Sequence, residues 1–209
     1  MTLTQITIYF LGIIVVIIIA MLVHSYLDKK KIKKKLLLLV DPLKGRVVQD
    51  SSFHYPHFHC DVKGRAFDLF FDVVKVGRHH ILYAVYSLGT TLPHPMLLIK
   101  KDEFRPIADL NHFSKSNGSP LKTICTPFQG YSIEPAWAEK IYATGAVSQT
   151  IASLNEFSSL QLGPDALIAG KPYEGLADAD PEQTLQAILS LEKLATEMED
   201  GTPSAVCPA

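Results

Sequence analysis

A chain of 209 residues with 20 Lys and Arg against 21 Asp and Glu is nearly neutral, yet six of the basic residues lie between Lys29 and Lys35. Residues 36–209 therefore hold 14 basic and 20 acidic side chains, which excludes nucleic acid as a partner, because phosphate contacts need clustered cations on a folded surface. Three cysteines exclude a disulfide scaffold, and a 47% apolar composition without a low-complexity tract excludes a disordered chain.

Residues 1–5 are read as a short extracytoplasmic N-terminus and residues 6–24 as a transmembrane helix. Ile6 to Val23 is free of charge. As a helix it spans about 27 Å, close to the hydrocarbon thickness of a bilayer. Its Ile/Val run from Ile13 to Ile18 favours helix poorly in water, but in lipid the backbone must bond to itself. Tyr9 and Tyr26 fall near the two ends, where amphipathic rings prefer the interface. A cleaved signal peptide is the competing reading. It needs positive charge before the apolar run, whereas here the charge follows it; Val23-His24-Ser25, a loose cleavage site, keeps that reading open. Residues 25–46 form a basic juxtamembrane segment. Lys29, Lys30, Lys31, Lys33, Lys34 and Lys35 predict, by the positive-inside rule, a signal-anchor with the rest of the chain in the cytoplasm, and they predict contact with anionic lipid headgroups. Cys60, Cys125 and Cys207 as reduced thiols suit that compartment.

Residues 47–201 are expected to form one cytoplasmic domain and residues 202–209 a loose tail. A short strand falls at Phe58 to Lys63. From Arg65 to Val76, Phe67, Leu69, Phe71 and Val73 share one face while Asp68 and Asp72 share the other. His79 to Leu88 is apolar on both faces and predicts a central strand, with Gly77 in a hairpin before it. Met96 to Ile99 is a further strand, Ser114 to Pro120 a surface loop, and Lys122–Pro127 and Gly130–Ile133 are short strands. Pro135 opens a helix carrying Trp137, Ile141 and Tyr142; Gly145 breaks it, and Val147, Ile151 and Leu154 form a second stripe. Gly163-Pro164-Asp165 turns a hairpin between Ser158–Leu162 and Ala166–Ala169. The last helix has Asp180 as N-cap, Pro181 as first residue and Gln183 as capping-box partner. Leu185, Ile188, Leu189, Leu191, Leu194, Ala195 and Met198 form its apolar face, and Gly201 and Pro203 stop it. The fold class is α+β: a transmembrane helix, then one domain with an antiparallel β-meander, a later β-hairpin and two to three packed helices.

No phosphate-binding loop, dinucleotide fingerprint, nucleophile elbow, HExxH helix or CxxC pair occurs in the sequence. No catalytic residue is assigned, and a non-enzymatic membrane-anchored interaction or scaffold domain without a cofactor is the leading reading. Its partners are the bilayer with its anionic lipids and an unidentified protein. The surface expected to meet that protein is Glu192, Glu197 and Glu199, in a C-terminal stretch with eight acids and one lysine after Pro172. The alternative is a metal- or ligand-binding domain. In His54-Tyr-Pro-His57-Phe-His59-Cys60, alternate strand positions aim His57 and His59 to one side, and His54 completes a set for a divalent metal such as zinc.

Overall fold

The computed structural model describes residues 3–76, 79–101, 118–122 and 127–201. The expected hairpin glycine Gly77, most of the Ser114–Pro120 loop, the interior of the Lys122–Pro127 strand and the 202–209 tail lie outside them. The fold is α+β. Helix α1 (Leu3–Leu37) leads through a short helical turn, α2 (Val40–Leu43), into an antiparallel sheet. The strands are β1 (Arg46–Val48), β2 (His57–Val62), β3 (Arg65–Val76), β4 (His79–Gly89), β5 (Met96–Lys100), β6 (Ser119–Pro120), β7 (Phe128–Ser132), β8 (Ser159–Leu162) and β9 (Ala166–Pro172). Helices α3 (Pro135–Tyr142), α4 (Gly145–Ser153) and α5 (Pro181–Asp200), with a 3-10 turn at Leu176–Ala179, complete the described chain.

The strand order is β1-β2-β3-β4-β9-β8-β5-β7-β6, and the expected antiparallel meander is its first four strands. Strands β1 to β4 do run as a meander, but β5 does not pair with β4. The later β8/β9 hairpin is inserted between them and forms the middle of the sheet. The cause lies in β4 and its exit. A strand apolar on both faces needs a neighbour on each edge. Pro93 and Pro95 lack the N–H a ladder requires, so the chain leaves the sheet there. Thr90 marks the departure: its N–H donates to the Asp165 carbonyl at 3.3 Å and its hydroxyl to the Gly163 carbonyl at 2.7 Å, both in the β8–β9 turn.

Side-chain alternation then decides the two faces. Through the register pairs, Phe58, Phe67, Leu69, Phe71, Tyr86, Leu88, Ala169, Leu160, Leu162, Leu98 and Phe128 all point to one side. That side is the main core. It is closed by Ala138, Ile141 and Tyr142 of α3, Val147 and Ile151 of α4, and Ile188, Leu191, Leu194 and Met198 of α5. Val73, expected among the inward residues, is 53% exposed, because β3 runs on past the covering helices. Leu189 of α5 is likewise 41% exposed.

Two positions explain the path of the chain at the β1–β3 edge. A Cβ on Gly45 would stand 2.5 Å from the Phe58 ring and 2.8 Å from the His59 carbonyl, so only glycine lets the chain enter β1 there. Lys63 and Gly64 form a two-residue turn with φ of 52° and 86°, the mirror-image turn whose twist matches a hairpin, and the Asp61 carboxylate accepts from the Gly64 N–H at 2.6 Å. Helix α5 starts where its chemistry says it should: the Asp180 carboxylate accepts from the N–H groups of Glu182 and Gln183, with Pro181 at the first position. One lysine lies under the helices. Lys171, 7% exposed on its side chain, reaches Glu156 at 2.7 Å and Asp178 at 3.8 Å, so a buried cation is paired rather than stranded.

Candidate membrane-facing site

Helix α1 changes character along its length. From Tyr9 to Val23 its large side chains are exposed and no described part of the domain covers them. This one helix is long and apolar enough to cross a membrane. Tyr9 and Tyr26, both exposed, lie 17 positions apart, about 26 Å along the axis, a separation that suits the two interfaces of a bilayer.

Below Tyr26 the same helix becomes part of the domain. Ile32, Leu36 and Leu39 are 0–1% exposed and belong to the main core, with Val40 and Leu43 packed against it. Within the basic juxtamembrane segment 25–46, these residues pack into the core of the domain. The spacing is the reason: Ile32 interrupts the lysine run, and positions 32, 36 and 39 repeat on one helical face.

The lysines sort by that face. Lys29 Nζ donates to the Phe53 carbonyl at 2.6 Å and lies 5.0 Å from the centre of the Tyr55 ring. Lys35 Nζ donates to the Leu176 carbonyl at 2.6 Å. These two, expected to meet headgroups with the others, are held by the domain. Lys30, Lys31 and Lys34 are exposed and Lys33 is half-buried. Tyr55 stacks tilted on Phe71 at 5.4 Å, and Phe71 meets Tyr173 edge-on at 5.3 Å. Burial first, and the Asp28 carboxylate second, raise the Tyr55 hydroxyl and push that of Tyr173 up to about 12, so both stay neutral. This aromatic group meets α1 through Lys29, just past the end of the apolar stretch.

The connection from β1 to β2 lies beside the same turn of α1. Tyr26, Lys30 and Lys33 form one wall of a cavity of about 190 Å³, and Gln49 and Ser52 form the other. Gln49 is fixed by its amide nitrogen, which donates to the His54 carbonyl at 2.8 Å. Phe53, next to Ser52, is 71% exposed.

The histidines do not assemble as a ligand set. His57 and His59 do share a sheet face, as strand alternation requires, and Cys60 is buried on the opposite one. But Asp68, the cross-strand partner of His59, takes its Nδ1 at 2.7 Å. His57 lies against Phe70 with ring centres 6.0 Å apart. His54 stands in the preceding turn, its Nδ1 3.2 Å from the Ser51 hydroxyl. His80 lies seven positions along β4 from Ser87, the register partner of Asp68, and so about 23 Å away. Among the described residues no group of three His, Cys, Asp or Glu side chains is placed to hold a metal.

The three glutamates expected to face a protein partner are turned inward or tied. Glu192 is 5% exposed, accepts from Lys63 Nζ at 2.7 Å and from the Thr196 hydroxyl at 3.0 Å. Glu197 accepts from the Thr150 hydroxyl at 2.7 Å. Glu199 takes both terminal nitrogens of Arg65, at 2.8 and 2.6 Å, and the Thr91 N–H at 2.9 Å. Their place is to bind α5 to the β2–β3 turn and the start of β3, to the segment after β4, and to α4. Hydrogen bonds within the domain thus occupy the carboxylates expected to face a partner.

No known protein family matches this chain, and no curated protein matches it in sequence. Among solved structures it is similar to the crystal structure of the mycobacterial trehalose monomycolate transport factor A, TtfA. The TM-score is 0.61 at 10% identity, and the match covers 82% of this chain and 96% of that one. Likeness at this identity defines a shared fold.

Proposed function

We propose that this chain is a non-enzymatic, single-pass membrane protein whose domain lies on the cytoplasmic face and serves as an accessory factor to a membrane transport assembly. The observation that carries the reading is the unbroken passage of α1 from its apolar stretch into the domain core through Ile32 and Leu36, with Leu39 following in the next turn. A tether for a roaming catalytic domain is best served by a flexible linker. A helix welded into the core instead fixes height and rotation, which suits a domain that must present one surface to a neighbour in the same bilayer. Confinement to that layer raises its effective concentration for such a neighbour. The cytoplasmic orientation rests on the lysines that follow the apolar stretch. The transport role rests on the fold shared with the transport factor.

Photo-cross-linking from an unnatural residue at Leu38, 65% exposed just below the lysines, tests this in native membranes. The expected result is one recurrent, stoichiometric integral membrane protein. Recovery of the chain uncoupled, with the domain protease-accessible from outside, would overturn both the partner and the orientation.

A further inference from the structure

Five side chains converge at the foot of the apolar stretch: a tyrosine, two lysines one helical turn apart, a fixed glutamine and a serine. We infer that the cavity between Tyr26, Lys30, Lys33, Gln49 and Ser52 is a binding site for the phosphate of an anionic lipid headgroup, and that the neighbouring Phe53 enters the bilayer interface beside it. This rests on the reading of α1 as a membrane span and goes beyond it, since an anchor needs no lipid site.

Position selects the ligand. Residues 26, 30 and 33 lie about 4 to 15 Å along the axis beyond Val23. A headgroup layer is roughly 5–8 Å deep on each side of the hydrocarbon. Side chains on a helix lean toward its N-terminus, which here means toward the bilayer, so long lysines bring their ammonium groups back into that layer. Tyr26 is 41% exposed at the level interfacial tyrosines favour.

Chemistry selects it too. Two lysines facing a glutamine and a serine line the cavity with no carboxylate among them, a set that suits an anion with several acceptor oxygens. Neither Asp50, exposed next to Gln49, nor Asp28, whose carboxylate meets His24 Nε2 at 3.2 Å, lines the cavity. The volume of about 190 Å³ admits a phosphodiester and its polar substituent, while acyl chains would remain outside along α1. Phe53 explains itself in the same arrangement. A phenyl ring 71% exposed, with its carbonyl pinned by Lys29, is poorly placed in water and well placed among headgroups.

The test uses the full-length chain, membrane-integrated and then transferred to mixed micelles of phosphatidylglycerol and phosphatidylcholine, with retained lipid counted by native mass spectrometry. Lys30→Ala/Lys33→Ala removes two charges from the cavity. Lys31→Ala/Lys34→Ala removes two from the same helix, away from it. The expected result is a loss of phosphatidylglycerol retention of about tenfold or more in the first pair and under about twofold in the second. In vesicles with brominated acyl chains, Phe53→Trp in a Trp137→Phe background should be quenched. Equal losses from the two pairs would reduce the lysines to a diffuse charge and overturn the site. Displacement of the lipid by millimolar inorganic phosphate would assign the cavity to a soluble anion and overturn the lipid assignment. Release of the unmodified chain from membranes by carbonate would overturn the anchored reading itself, a separate failure.

Discussion

Glu199 shows how much one side chain near the end of an acidic helix can carry. Arg65 grips it through both terminal nitrogens and Thr91 adds its N–H, and these bonds, Arg65's first, hold its carboxyl below the ordinary carboxylate range. A group with a lower pKa folded than unfolded binds fewer protons when folded. Its contribution is therefore full above the unfolded pKa and disappears as pH falls through the folded one. Glu199→Gln should cost about 1–3 kcal/mol near neutral pH, with a deficit that shrinks toward pH 3, read by urea denaturation in micelles at both ends of that range. A deficit independent of pH would mean that packing, not charge, holds α5 to β3. Cys60 makes the opposite case, a group silenced by its surroundings. It is 4% exposed, and burial, with Asp61 and Asp68 behind it, pushes its thiol up to about 11. Peptide mapping after iodoacetamide at about pH 8 should find Cys60 unmodified in the native chain and fully modified in urea.

Among the elements, α1 joins what the sequence states openly to what it conceals. Its apolar stretch, the alternation along β3, the two-faced apolar β4, the β8/β9 turn and the Asp180-Pro181 start of α5 are all legible, because each is written in local spacing and turn chemistry. The order of the sheet is not. Strand β4 announces that it needs two neighbours, and nothing local says that β9, rather than β5, is the second. The ties of α5 are hidden for the same reason: Arg65 lies 134 positions from Glu199 and Lys63 lies 129 from Glu192, so an acidic run reads as a solvated face until the chain is folded. The histidine set fails on convergence: His57 lies against Phe70, His54 sits on Ser51 in the preceding turn, and among the described residues no third ligand stands beside His59. The seam of α1 was half written, in the single isoleucine that breaks the lysine run. Its weight can be measured. Leu36→Ala, at a site with no exposure, should cost about 2–5 kcal/mol, while Leu37→Ala and Leu38→Ala, at 48% and 65% exposure, should cost little. Three equal values would mean that the helix only rests on the domain.

At the scale of the whole molecule, the continuity of α1 turns rotation into a variable. Each residue of a helix turns the chain by about 100° and lifts it by 1.5 Å. One alanine inserted between Val23 and His24 leaves every domain contact from Asp28 onward in place, yet swings the domain around the axis relative to the span. Seven inserted alanines restore the angle to within roughly 20° but raise the domain by about 10 Å. If the domain is merely tethered, neither insertion matters to its partner. If it is presented at a fixed height and angle, as the buried seam and the Tyr55–Phe71–Tyr173 group imply, both should lose the cross-link from Leu38 while thermal stability is unchanged. Loss from the single insertion alone would make angle the governing quantity, and loss from the seven-residue insertion alone would make it height. A cross-link that survives both would remove the reason for a rigid helix and, with it, the reading of this protein as a fixed platform in a transport assembly.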